Sequence, residues 1–131
     1  SWNMSPEWYN QTTEPIHPVK GTEIYNKPIM LLVNSNTFSS AENLCISFRG
    51  AKRGKIIGTP TGGSTGNPIF IDLGGGIGCG ICTKHELDAE GNEFIGIGIQ
   101  PDIIVEEDVD IFMKNRDNVI EKALEIIKCS Q

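Results

Sequence analysis

Ser39 and Ser40 stand where a serine oxygen could attack a carbonyl group. They close a polar step, Asn34 to Ser40, between a short aliphatic run, Pro28 to Val33, and a segment with apolar residues at Ala41, Leu44, Cys45 and Phe48. A spacing of i, i+3, i+4 and i+7 predicts a helix, and the short continuous aliphatic run predicts a strand covered on both faces. The two serines therefore fall at the first helical turn, whose unpaired N–H groups and positive dipole end favour a developing negative charge. A serine oxygen placed there could attack a carbonyl beside a ready-made oxyanion donor, Ser39 with the backbone N–H of Ser40 being one such pair. The same place is also the ordinary position of a serine that only caps a helix, and spacing alone leaves both roles open.

The other residues capable of chemistry are less well placed. Cys79 and Cys82, with His85 three residues on, have a spacing known from zinc and redox sites. A zinc site needs a second ligand pair that the sequence lacks. Moreover, the segment Ile77 to Thr83 reads as a strand, in which positions i and i+3 face opposite ways. Cys45 and Cys129 read as apolar packing residues on helices. His17, beside Pro18, and His85, before a charged loop, lack the partners that would place a general base. Gly58 to Thr65 fits the phosphate-binding pattern GxxxxGK[ST] except that Ser64 replaces the lysine, and Gly66-Asn67-Pro68 opposes the helix that must follow. The glycine run Leu73 to Gly80 matches no dinucleotide fingerprint and leads into a strand. No cofactor and no metal ion is expected.

These residues need a scaffold, and the chain supplies an α/β one. The strand at 28–33, the helix after Ser40 and a strand at Lys55 to Gly58 predict a crossover with parallel pairing, with Gly54 as the helix stop. Pro68 to Asp72 and Ile77 to Thr83 predict two strands joined by a glycine turn. Phe94 to Ile99 alternates apolar residues with glycine, predicting a strand approached closely by another backbone. Asn115 to Lys128 predicts a packing helix with Val119, Ile120, Ala123, Leu124 and Ile127 on one face and Asp117 at its start. Ser1 to Lys20, cut by Pro6, Pro15 and Pro18, reads as an extended arm, so that residues 1–26 separate from a domain at 27–131. Its load of Trp2, Trp8 and Tyr9 fits either an arm packed on the surface or a segment packing against protein outside this sequence.

The chain has 131 residues and a formal net charge of −6. Its densest basic cluster, Arg49, Lys52, Arg53 and Lys55, reads as the solvated end of a helix, so a nucleic-acid partner is not expected. No stretch approaches the roughly 20 apolar residues of a membrane span, and no signal peptide is expected within it.

Three ordered segments carry a resemblance: Val33 to Glu42 (VNSNTFSSAE), Gly54 to Gly63 (GKIIGTPTGG) and Gly96 to Asp102 (GIGIQPD). Together they resemble the catalytic domain of the tail-specific, or C-terminal processing, proteases of peptidase family S41, over roughly Lys27 to Lys128. The resemblance implies a crotonase/ClpP-like spiral of short strands and crossing helices, of which this chain would form part. It implies a serine endopeptidase with Ser39 as nucleophile, a peptide or protein substrate, and a protein working outside the cytoplasm. In the lysine-dyad branch of that family the general base is a lysine where Ser64 stands here. The chain therefore looks more like the branch of the tricorn core and the retinoid-binding-protein repeats, in which a histidine from upstream serves. Such a base would come from a missing N-terminal portion of the same protein, and this piece alone would be inactive. A glutamate of that branch falls at Ile95, with Glu93 the nearest carboxylate. Those two departures keep a second reading open, a non-catalytic module binding peptide or small apolar ligands on the same fold. A third is acyl-CoA chemistry on that scaffold.

Overall fold

The computed structural model describes residues 19–88 and 90–129. The expectations for the N-terminal arm, including Trp2, Trp8, Tyr9 and His17, lie outside the described residues.

The aliphatic run becomes strand β1 (Met30–Val33), and the chain crosses through helix α1 (Ser40–Gly50) into strand β2 (Lys55–Gly58). β1 and β2 pair in parallel, Met30 opposite Lys55 through Val33 opposite Gly58, as the crossover pattern requires. An antiparallel hairpin follows, β3 (Ile69–Asp72) and β4 (Gly78–Ile81). Strand β5 (Ile103–Ile104) then returns to pair in parallel with β2, giving a three-stranded sheet of order β1-β2-β5. A one-turn helix α2 (Val109–Phe112) and the longer α3 (Asn118–Cys129) complete the element order.

The core divides at the central strand, because adjacent strand residues point to opposite faces. Ile56, fully buried, joins Val33, Cys45, Phe94 and Ile99 on one side. Ile57, equally buried, joins Val119 and Ala123 of α3 on the other. Each such isoleucine contributes on the order of 2 kcal/mol by leaving water. Asp117 caps α3 as its position in the sequence predicts, its carboxylate accepting from the amides of Val119 and Ile120 at 2.9 Å each.

Several expectations change in detail. Phe94 to Ile99 is a turn and not a strand: the amides of Ile97 and Gly98 both donate to the Phe94 carbonyl, and Gly96 and Gly98 adopt positive φ. The close backbone approach expected there does occur, since a Cβ on Gly98 would stand 2.0 Å from the Thr61 carbonyl oxygen. The buried stripe of α1 is also rotated from the expected one. Leu44 is 57% exposed and Ala41 is exposed, whereas Glu42 and Cys45 are buried. Likewise Ile120 and Leu124 of α3 face outward, and Leu32 of β1 is 40% exposed, so the sheet is not covered on both faces along its whole length.

Candidate active site

The turn from β1 to α1 is built by short-range bonds. The Asn34 carboxamide oxygen accepts from the Asn36 amide, the Thr37 amide donates to the Asn34 carbonyl, and the Asn34 amide donates to the Thr37 hydroxyl. Ser39 follows as the N-cap of α1, with φ 56° and ψ −125°. An ordinary N-cap lies in the extended region. Ser39 instead occupies a sparsely populated conformation that costs a non-glycine residue about 1–3 kcal/mol. A sharp strand-to-helix turn of this kind is the device by which hydrolases thrust a nucleophilic serine out of its backbone. Ser39 is half-buried and Ser40 exposed.

What holds Ser39 there is the glycine-rich loop that follows β2. The Ser39 amide donates to the Ser64 carbonyl at 2.9 Å and to a Glu42 carboxylate oxygen at 3.2 Å. The Ser39 carbonyl accepts from the Glu42 amide at 2.8 Å. The Gly62 amide donates to the Thr37 carbonyl at 2.8 Å, and the Gly63 carbonyl accepts from Gly96 at 2.7 Å. Three segments distant in sequence, 34–42, 58–66 and 94–99, thus meet at one knot of backbone.

At its centre lies Glu42, with none of its surface exposed. Its Oε1 accepts from the Thr61 hydroxyl at 2.6 Å and the Gly63 amide at 2.7 Å. Its Oε2 accepts from the amides of Ser64 at 3.0 Å and Ser39 at 3.2 Å. A carboxylate offers about four lone-pair sites, and here every one meets a donor. That is the condition under which a buried charge is tolerated, helped by the positive end of α1. Sequence reasoning passed over Glu42 as a site residue, although Ser39-x-x-Glu42 is the capping-box pattern that could have flagged it.

Beyond this knot, the Ser40 amide has no hydrogen-bond partner among the described residues. The first amides of a helix lack an acceptor within the helix itself. Ser64, at the place of the lysine, comes beside Ser39 through its carbonyl and carries no basic group. Ile95 lies in the 94–98 turn, whose next residue, Gly96, bonds Gly63. Glu93 is turned away and meets His85 instead, Oε1 to Nε2 at 3.1 Å on an exposed loop. No hydrogen bond among the described residues joins His85 or any lysine to Ser39. Cys79 and Cys82 are free and exposed on and just after β4. No group of three or more metal-ligating side chains assembles among the described residues.

A small cavity of about 140 Å³ opens where β1, β2 and β5 end, lined by Val33, Asn34, Thr37, Thr59 and Val105 among others. Open parallel sheets commonly admit ligands at this edge. Its wall includes Thr37, two residues before Ser39, though not Ser39 itself. None of the helices among the described residues is long and apolar enough to cross a membrane.

Comparison with known proteins bears on the whole arrangement. The chain is similar to a carboxy-terminal-processing protease of Bartonella bacilliformis, 33% identical over 81 residues. That match takes in 62% of this chain but 19% of the relative, so the chain spans about a fifth of the length of this curated protein. Among solved structures, a protein from Parabacteroides merdae described as a candidate peptidase superposes with a TM-score of 0.67 at 28% identity, over 79% of this chain and 32% of its own. The tricorn protease superposes with a TM-score of 0.68 over 77% of this chain and 10% of its own. At 21% identity this last likeness concerns the fold. The model of peptidase family S41 matches residues 4–105, more than half of the sequence, and the chain belongs to that family.

Proposed function

We propose that this chain is the nucleophile-bearing part of a serine peptidase and that Ser39 attacks the scissile carbonyl of a peptide or protein substrate. The observation that carries this reading is the backbone of Ser39, held at φ 56° and ψ −125° between strand β1 and a helix whose first free amide, that of Ser40, has no partner among the described residues. The Ser39 oxygen would bond to the carbonyl carbon, and the carbonyl oxygen would take the negative charge and accept from the Ser40 N–H. The serine proton would pass to a base and from there to the departing amine, after which water releases the acyl group by the same route.

The base is the part that the described residues do not offer, since Ser64 and Ile95 stand where a lysine or a glutamate would help. We assign it to a histidine from an upstream portion of the whole protein, consistent with a chain that spans 19% of its Bartonella relative. The relative's name, carboxy-terminal-processing, suggests a substrate cleaved towards its C-terminal end. The same resemblance suggests a site of action outside the cytoplasm.

A fluorophosphonate probe on the folded full-length protein tests the proposal. Covalent labelling at Ser39, lost in Ser39→Ala together with peptide cleavage, is the expected result. Absence of labelling in a folded protein overturns it and favours a binding module that keeps the fold without the chemistry.

A further inference from the structure

We infer that Glu42 is a positioning residue of the same site, fixing through its charge both the backbone of Ser39 and the loop that faces it. This inference rests on the peptidase reading and adds a residue to it. Glu42 grips four donors from two stretches of chain: the Ser39 amide at the head of α1, and the Thr61 hydroxyl and the amides of Gly63 and Ser64 in the loop after β2. The Gly63 and Ser64 amides have no other acceptor among the described residues. Apart from Glu42, the hydrogen bonds among the described residues that hold this loop against the start of α1 are the backbone bonds from Ser39 to Ser64 and from Gly62 to Thr37.

The conformation of Ser39 depends on that grip. A serine left to itself leaves φ 56° for the extended region usual at an N-cap, and its hydroxyl then folds back to cap the helix. The second acceptor for the Ser39 amide, Glu42 Oε2, is a group that only this arrangement supplies. A glutamine at 42 is nearly isosteric, yet it turns an NH2 towards amide donors and leaves a buried clash of like groups. The effect predicted is specific to reactivity, because a shift of about 1 Å in a reacting atom slows chemistry by on the order of 100-fold.

The experiment uses the full-length protein and two readouts, the rate of fluorophosphonate labelling at Ser39 and amide hydrogen exchange at Gly63 and Ser64. Glu42→Gln is expected to remain folded, to lose protection at whichever of the two amides faces the new NH2, since they bond to different carboxylate oxygens, and to label about 100-fold more slowly. Cys45→Ala, a change in the buried face of the same helix one turn on, is expected to lower the melting temperature while labelling at the parent's rate. Should Glu42→Gln fail to fold, Glu42→Asp keeps the charge and draws it back by one methylene, and slow labelling is expected again. Labelling of a folded Glu42 variant at the parent's rate overturns the positioning role and leaves the peptidase reading intact. A folded parent that is not labelled at Ser39 overturns both.

Discussion

Asp102 and Ile56 exchange two hydrogen bonds: the Asp102 amide donates to the Ile56 carbonyl at 2.8 Å, and the Ile56 amide donates to the Asp102 carboxylate at 2.8 Å. The side chain therefore stands in for a strand residue, extending the β2–β5 ladder by one rung before Ile103 takes over opposite Ile57. Pro101, which has no amide to offer, sits just outside this rung and is buried. Asp102→Ala leaves the amide of a fully buried isoleucine without an acceptor, and chemical denaturation should show a loss of about 1–3 kcal/mol. Asp102→Asn, which keeps an acceptor oxygen, should lose less.

Thr61 offers a second test of the buried polar knot. Its hydroxyl donates to Glu42 and accepts from the Ile99 amide at 2.7 Å. Thr61→Val preserves shape and strands both partners, so the expected cost is about 2–4 kcal/mol, read as a fall in the denaturation midpoint with an unchanged slope.

Gly98 is held at φ 84°, and a Cβ there would stand 2.0 Å from the Thr61 carbonyl oxygen and 3.0 Å from its amide nitrogen. The obstacle is backbone on both counts and cannot swing aside. Gly98→Ala should destabilise the protein by at least about 2 kcal/mol, measured by thermal unfolding. Gly96→Ala is the comparison: φ is positive there too, but nothing stands within 4 Å of the added carbon, so it should cost less.

Burial raises the pKa of the Cys45 thiol above its ordinary 9.0, and the nearby Glu42 charge raises it further, against a smaller opposing pull from Arg49. Two consequences can be measured. Cys45 should resist iodoacetamide in the native state while the exposed Cys79, Cys82 and Cys129 react. In addition, both folded and unfolded forms keep this proton below the ordinary value, so stability does not depend on it there. Above it the unfolded chain releases the proton first, and stability should decline as the solution becomes more alkaline.

The order of elements was legible because local pattern and tertiary role agree at the β1–α1–β2 crossover, the β3–β4 hairpin and the Asp117 cap. The place of Ser39 was legible for the same reason: a polar step between two apolar segments can hardly be anything but a turn. Sequence failed where burial is set by distant partners. Glu42 is a charged residue on a helix, and pattern puts such a residue in water; only the donors of residues 61–64 bring it inside. Leu44 suffered the reverse, an apolar residue at a core spacing that finds no neighbour to cover it. The period of two in Phe94 to Ile99 was misleading because its glycines serve left-handed turns, and alternation alone does not distinguish a pleat from a succession of bends.

The dihedral angles of residue 39 carry one more implication. Ser39→Gly would meet φ 56° with no Cβ to resist it, and glycine gives up only a few tenths of a kcal/mol as an N-cap. The variant should melt later than the parent, by the equivalent of about 1 kcal/mol, and react with nothing. A later melt would mean that the side chain at this position is kept at the expense of durability, as the proposed nucleophile would be.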